Sequence, residues 1–77
     1  MIPRALPRLV TDALLNGWSV HLAHGSVLLF GRFTSRDGDD VELEWEDGKT
    51  IHSTINGQPT PYQQCIRLIR SPEGATS

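Results

Sequence analysis

"VELEWEDGKT", Val41 to Thr50, decides how this chain folds. Val41, Leu43 and Trp45 alternate with Glu42, Glu44 and Glu46, and Asp47-Gly48 follows. Strict alternation has the period of a strand with one buried face, because successive side chains leave a strand on opposite sides. The next run, Lys49–Ile55, is rich in β-branched residues, so the two runs form a hairpin about the Asp-Gly pair. Its register depends on the turn. A two-residue turn at Asp47-Gly48 sets Glu44 opposite Ile51 and mixes Ile51 with the glutamates. A three-residue turn over Glu46-Asp47-Gly48, with Gly48 as a left-handed bulge, sets Trp45 opposite Lys49 and Leu43 opposite Ile51. A one-residue slip exchanges the faces, so burial selects the bulged turn. Val41, Leu43, Trp45, Ile51 and Ile55 then share the apolar face, and Glu42, Glu44, Thr50, His52 and Thr54 share the other.

Working back along the chain, Ser26–Thr34 is the most apolar run and reads as the preceding strand. Placing Phe33 opposite Val41 sets Gly31 by Leu43, Leu29 by Trp45 and Arg32 across from Glu42, a favourable cross-strand pair. Trp18, Val20 and Leu22 alternate with Ser19, His21 and Ala23 in the first strand, with a tight turn at His24-Gly25. The inner face gathers Trp18, Val20, Leu22, Val27, Leu29, Phe33, Val41, Leu43, Trp45 and Ile51. Leu28 and Phe30 are left outside.

Helices bracket the strands. Leu6, Leu9, Val10, Ala13 and Leu14 keep helical spacing, Pro7 suits a first turn, and Gly17 suits a C-terminal cap, giving a helix over 7–16. Tyr62, Cys65, Ile66 and Ile69 form a second helical stripe. Thr60 reads as its N-cap, Pro61 as its first residue and Gln63 as the partner of a capping box. A fifth strand at Cys65–Ile69 is the alternative there. The expected fold is α+β, a four-stranded antiparallel meander with both helices on one face, in the order α-β-β-β-β-α. Residues 1–77 make a single small domain, with 1–5 and 71–77 as frayed ends.

Composition narrows the function. The 77 residues are 38% hydrophobic and carry a net charge of -2. That charge is too mild to name a partner class. A single cysteine, Cys65, allows neither an intrachain disulfide nor a thiolate metal cluster. No run approaches the roughly 20 apolar residues of a membrane span, and no signal peptide is visible, so the expected location is cytoplasmic. No phosphate-cradling glycine loop or nucleophile elbow occurs, and no cofactor or metal is expected. His21 and His24 straddle a turn without a third ligand. His21 and His52 lie on distant strands, about 14 Å apart at three strand spacings. Cys65, on an apolar stripe, reads as a core residue.

Two surfaces remain. Seven of the nine acidic residues fall between Asp37 and Asp47, uninterrupted by a basic residue. Such a face can simply be solvated, or it can dock onto a basic surface. Leu28 and Phe30, exposed side by side on a polar sheet face, call for cover by a partner or a second copy. The leading expectation is a non-enzymatic protein-binding module, of the kind of a phage or plasmid inhibitor or regulator. It would dock through Leu28, Phe30, Asp39, Asp40, Glu42 and Glu44, with a homodimer through the outer sheet face as a related possibility. The alternative is a nucleic-acid-binding regulator using Arg4, Arg8, Arg67 and Arg70, brought together if the helices are neighbours.

The opening helix followed by "NGWSVHLAHGS", and the closing "TPYQQCIRLI", resemble the order of elements in HicA-type domains, small toxin proteins with a double-stranded-RNA-binding-like fold. The identities are few: Gly17-Trp18 and Gly25-Ser26. The family's catalytic histidine would follow Gly-Ser, where this chain has Val27, so the resemblance does not carry the activity. A degenerate RNA-acting domain is what it implies. The stretch from "VHLAHGS" to "VELEW" is also similar to a small Sm-like or SH3-like barrel entered by a helix. Both resemblances imply a binding scaffold.

Overall fold

A computed structural model describes residues 3–71. The elements are α1 (Leu6–Leu15), β1 (Ser19–His24), β2 (Leu28–Thr34), β3 (Asp40–Glu46), β4 (Lys49–Ile55), β5 (Gln58–Pro59) and α2 (Tyr62–Arg70). The strands form one antiparallel sheet in the order β1-β2-β3-β4-β5. The expected α-β-β-β-β-α order holds, with a two-residue fifth strand added before the last helix. Cys65–Ile69 is helical, so the alternative of a strand there is set aside.

α1 begins one residue earlier than its proline suggests and ends where its glycine does. Gly17 takes φ +87°. The N–H of Trp18 then bonds to the Ala13 carbonyl (2.9 Å) and that of Gly17 to the Leu14 carbonyl (3.1 Å), closing the helix in a Schellman motif. Residues 1, 2 and 72–77 of the ends read as frayed lie outside the described residues. Pro3 is buried, and its carbonyl accepts the Leu6 N–H at 3.0 Å. At α2 the expected capping box is absent. Pro61 is the N-cap, without a side-chain cap bond, and the Thr60 hydroxyl instead donates to the Gln58 carbonyl at 2.8 Å. Gln58, two residues back in β5, holds that hydroxyl away from the helix end.

The β2–β3 register is the one read from burial: Phe33 faces Val41, Gly31 faces Leu43 and Leu29 faces Trp45. The β3–β4 turn differs. Glu46 pairs with Lys49 around a two-residue Asp47-Gly48 turn, with both residues left-handed (φ 52° and 83°). Such a turn matches the twist of the flanking strands and is what Asp-Gly favours. The register then shifts between Glu44 and Trp45, so that Thr50 faces Trp45 and His52 faces Glu44. Ile51 is the extra residue. The bulge swings it out to 51% exposure and restores the alternation in time for Ile55 to face Val41. Ile51 is therefore not a core residue, and Thr50 does not share the glutamate face.

Two other residues assigned to the inner face are also exposed. Val27 sits in the β1–β2 turn, which runs over Ser26-Val27 rather than His24-Gly25; the Gly25 N–H bonds the Leu28 carbonyl at 2.8 Å. Leu22 lies on the edge strand, beyond full cover by α1.

The core unites Leu6, Leu9 and Ala13 of α1, Cys65 and Ile69 of α2, Leu29, Phe33, Val41, Leu43 and Trp45 of the sheet, and Trp18 just before β1. Both helices thus cover the same face. Gly31 makes the centre possible: a Cβ there would stand 3.2 Å from Leu22 and Phe33 and 3.4 Å from Trp45. Those larger side chains close over the gap that glycine leaves.

Candidate functional site

With both helices on one side, the other face of the sheet carries no helix. Strand pairing sets its rows. Ala23, Phe30, Glu44 and His52 lie side by side across β1–β4, and His21, Arg32, Glu42 and Thr54 form the next row. Leu28 faces Glu46 and is 42% exposed; Phe30 is half-buried. Glu42 and Glu44, on β3 between β2 and β4, are half-buried. Among the described residues neither glutamate forms a salt bridge.

Arg32 does face Glu42, yet its guanidinium grips Asp40, one diagonal step along β3. Nε lies 3.0 Å from Oδ1 and Nη2 2.9 Å from Oδ2. The fork geometry of arginine favours this two-point contact. The hydrogen bond to Asp40 and then its charge raise the Arg32 pKa, with Glu42 the weakest contributor. The expected Arg32–Glu42 pair is therefore replaced, and Asp40 is engaged rather than free.

Asp39 is engaged too. The Asn56 side-chain amide donates to its carboxylate at 3.2 Å, while Asn56 Oδ1 accepts the Asp40 N–H at 2.8 Å. Ser35 Oγ accepts the Asp39 N–H at 3.0 Å. Asn56 can serve this way because Asn56-Gly57 is a second left-handed two-residue turn (φ 53° and 82°), joining β4 to β5. Asn-Gly is a strong hairpin signal. It was legible in the sequence, but the segment reads as a plain loop if β5 is not recognised. Asp39 and Asp40 thus tie the β2–β3 loop to the β4–β5 turn. Of the six residues expected to dock a partner, Leu28, Phe30, Glu42 and Glu44 form the uncovered patch, and the two aspartates brace its rim.

Thr54 was not singled out by its sequence. It pairs with Glu42 and Pro59, is only 5% exposed, and its hydroxyl has no partner among the described residues. Cys65 is fully buried, with Sγ 3.9 Å from the Thr60 carbonyl; burial pushes its thiol pKa up, against smaller opposing effects of Ser53 and the backbone. His21 and His52 occupy the same face with β2 and β3 between them.

The arginines lie on the helix layer. Arg4, Arg8, Arg67 and Arg70 are all exposed, and α1 and α2 do pack together. Arg70 Nε bonds Asp12 Oδ2 at 3.0 Å, and the Asn16 side chain donates to the Ile69 carbonyl at 3.0 Å. Arg8 precedes Asp12 by one helical turn on the same side. An acidic residue therefore sits between two of the four cations.

Fold and site together define a small α+β domain with one covered and one open sheet face. No protein-family model matches the chain, and no curated protein or solved structure matches it at a significant level.

Proposed function

We propose that the chain is a non-enzymatic protein-binding module whose outer sheet face docks a partner carrying basic side chains, and that it acts as a regulator or inhibitor of that partner. The observation that carries this reading is the patch itself. Glu42 and Glu44 lack salt bridges among the described residues and adjoin Phe30 and Leu28 on a face without helical cover. Two carboxylates beside an apolar surface suit a lysine or arginine, whose aliphatic stem packs while its head is neutralised. Capture of partners from the source cell should fall on Glu42→Lys/Glu44→Lys and on Phe30→Ala, and should weaken with salt. Capture indifferent to all three changes would sink the assignment.

A second reading rests on the exposure of four arginines, Arg8, Arg67 and Arg70 on two adjoining helices and Arg4 just before the first. It predicts nucleic-acid binding that weakens with salt and with each arginine removed. Its test is a low-salt gel shift, in which no retardation eliminates it.

A further inference from the structure

We infer that the free edge of β1 pairs with the same edge of a second copy, making one continuous ten-stranded sheet. The two ends of the sheet are unlike. The β5 edge is two residues long and contains Pro59, both devices that blunt an edge. The β1 edge, Ser19–His24, is six residues long and has no proline and no Asp, Glu, Lys or Arg. Five of its six residues are exposed.

Hydrogen bonding shows which groups are open. The Gly25 N–H bonds the Leu28 carbonyl, so Gly25, Ala23, His21 and Ser19 point their main-chain groups at β2. Antiparallel ladders alternate. The N–H and C=O of Val20, Leu22 and His24 therefore point off the sheet, and no described strand meets them.

These groups complement themselves. A two-fold axis normal to the sheet keeps inner faces together, so paired residues must both point inward or both outward. Centring the axis on Leu22 pairs it with the partner's Leu22, Val20 with the partner's His24, and His24 with the partner's Val20. Every open group on the edge then has a mate in a bonded pair. Centring on His21 instead would call on Trp18, whose N–H already bonds Ala13.

The layer above fits the same axis. Asp12 and Asn16 mark the flank of α1 that faces α2. Val10 and Leu14 lie on the opposite flank, towards the β1 edge; Leu14 is 57% exposed. An extended peptide added to β1 would satisfy the main chain but leave Leu14 bare, whereas Val10 is already partly buried against the core. A second copy brings its own α1 beside that flank, and its edge, without Asp, Glu, Lys or Arg, presents no fixed like-charge conflict. The outer faces stay open, so pairing is independent of the docking proposed above.

Sedimentation of the full chain up to about 0.5 mM should show reversible doubling of mass. Leu14→Lys places like charges across the axis, and His24→Pro removes an outward N–H without touching the β1–β2 ladder. Each should weaken self-association about tenfold or more while a cooperative melt persists. Amide exchange at Val20, Leu22 and His24 should slow as concentration rises. A chain that stays single at that concentration, with these amides exchanging freely, would overturn the inference and leave the edge to a strand of another protein. A dimer unaffected by both substitutions would overturn it equally.

Discussion

Thr54 and Cys65 show how differently burial treats two small polar side chains. The Thr54 hydroxyl has been taken out of water without a replacement bond, a loss that a methyl of the same shape does not incur. Thr54→Val keeps the β-branch and should raise stability by up to about 1 kcal/mol in urea titrations. Cys65 is buried as a neutral thiol, and its pKa is raised from an ordinary 9.0. Above that value the unfolded chain loses the proton while the folded one keeps it, so unfolding gains. The stabilisation is complete below the ordinary value and is lost as pH climbs through the folded one. Denaturation midpoints should fall as pH rises above about 9, and Cys65→Ala should flatten that slope while lowering the whole curve.

The β3–β4 hairpin reconciles a local preference with a global one. Asp47-Gly48 prefers the tight left-handed turn, and the core needs Val41, Leu43 and Trp45 inward with Ile55. Turn and core disagree by one residue, and the bulge at Ile51 absorbs the difference. Two substitutions separate this arrangement from the simple ladder. Leu43→Ala, at full burial, should cost about 2–5 kcal/mol. Ile51→Thr should stay within about 0.5 kcal/mol, because the side chain is half in water already. Equal losses at the two positions in chemical denaturation would mean that Ile51 is packed inside. Gly48→Ala should lose about 1–2 kcal/mol through its left-handed backbone.

Across the whole molecule, the proposed docking surface and the core that gives stability fall on different layers. β2 and β3 lie at the middle of the sheet, and the largest fully buried side chains include Phe33, Val41, Leu43, Leu9 and Ile69. Native-state amide exchange should therefore be slowest at Phe33, Val41 and Leu43, following global unfolding, and faster in β5. The outer face contributes little to that core, which leaves Phe30, Glu42 and Glu44 replaceable with modest effects on folding. The capture experiment is interpretable for that reason. Asp39 and Asp40 are a different matter: they brace two turns, and changing them would disturb the rim as well as its charge.

Much of this was legible in the chain itself. Alternation in "VELEW" marks a half-buried strand whatever surrounds it, and matching its apolar set to Leu29 and Phe33 leaves one β2–β3 register. The same periodicity places Leu28, Phe30, Glu42 and Glu44 on the open side, and helical spacing separates α1 and α2 from the strands. Periodicity reports which side a residue faces, and that was determined by sequence alone. It does not report whether a neighbour is present on that side. Leu22 points inward but lies at an edge, Thr54 is buried opposite a glutamate, and Arg32 chooses Asp40 over the residue directly across from it. Those outcomes depended on the tertiary arrangement, because they turn on distances of a few ångströms between segments far apart in sequence. The contacts of Asn56 with Asp39 and Asp40, the bulge that expels Ile51 and the bare edge of β1 belong to the same group.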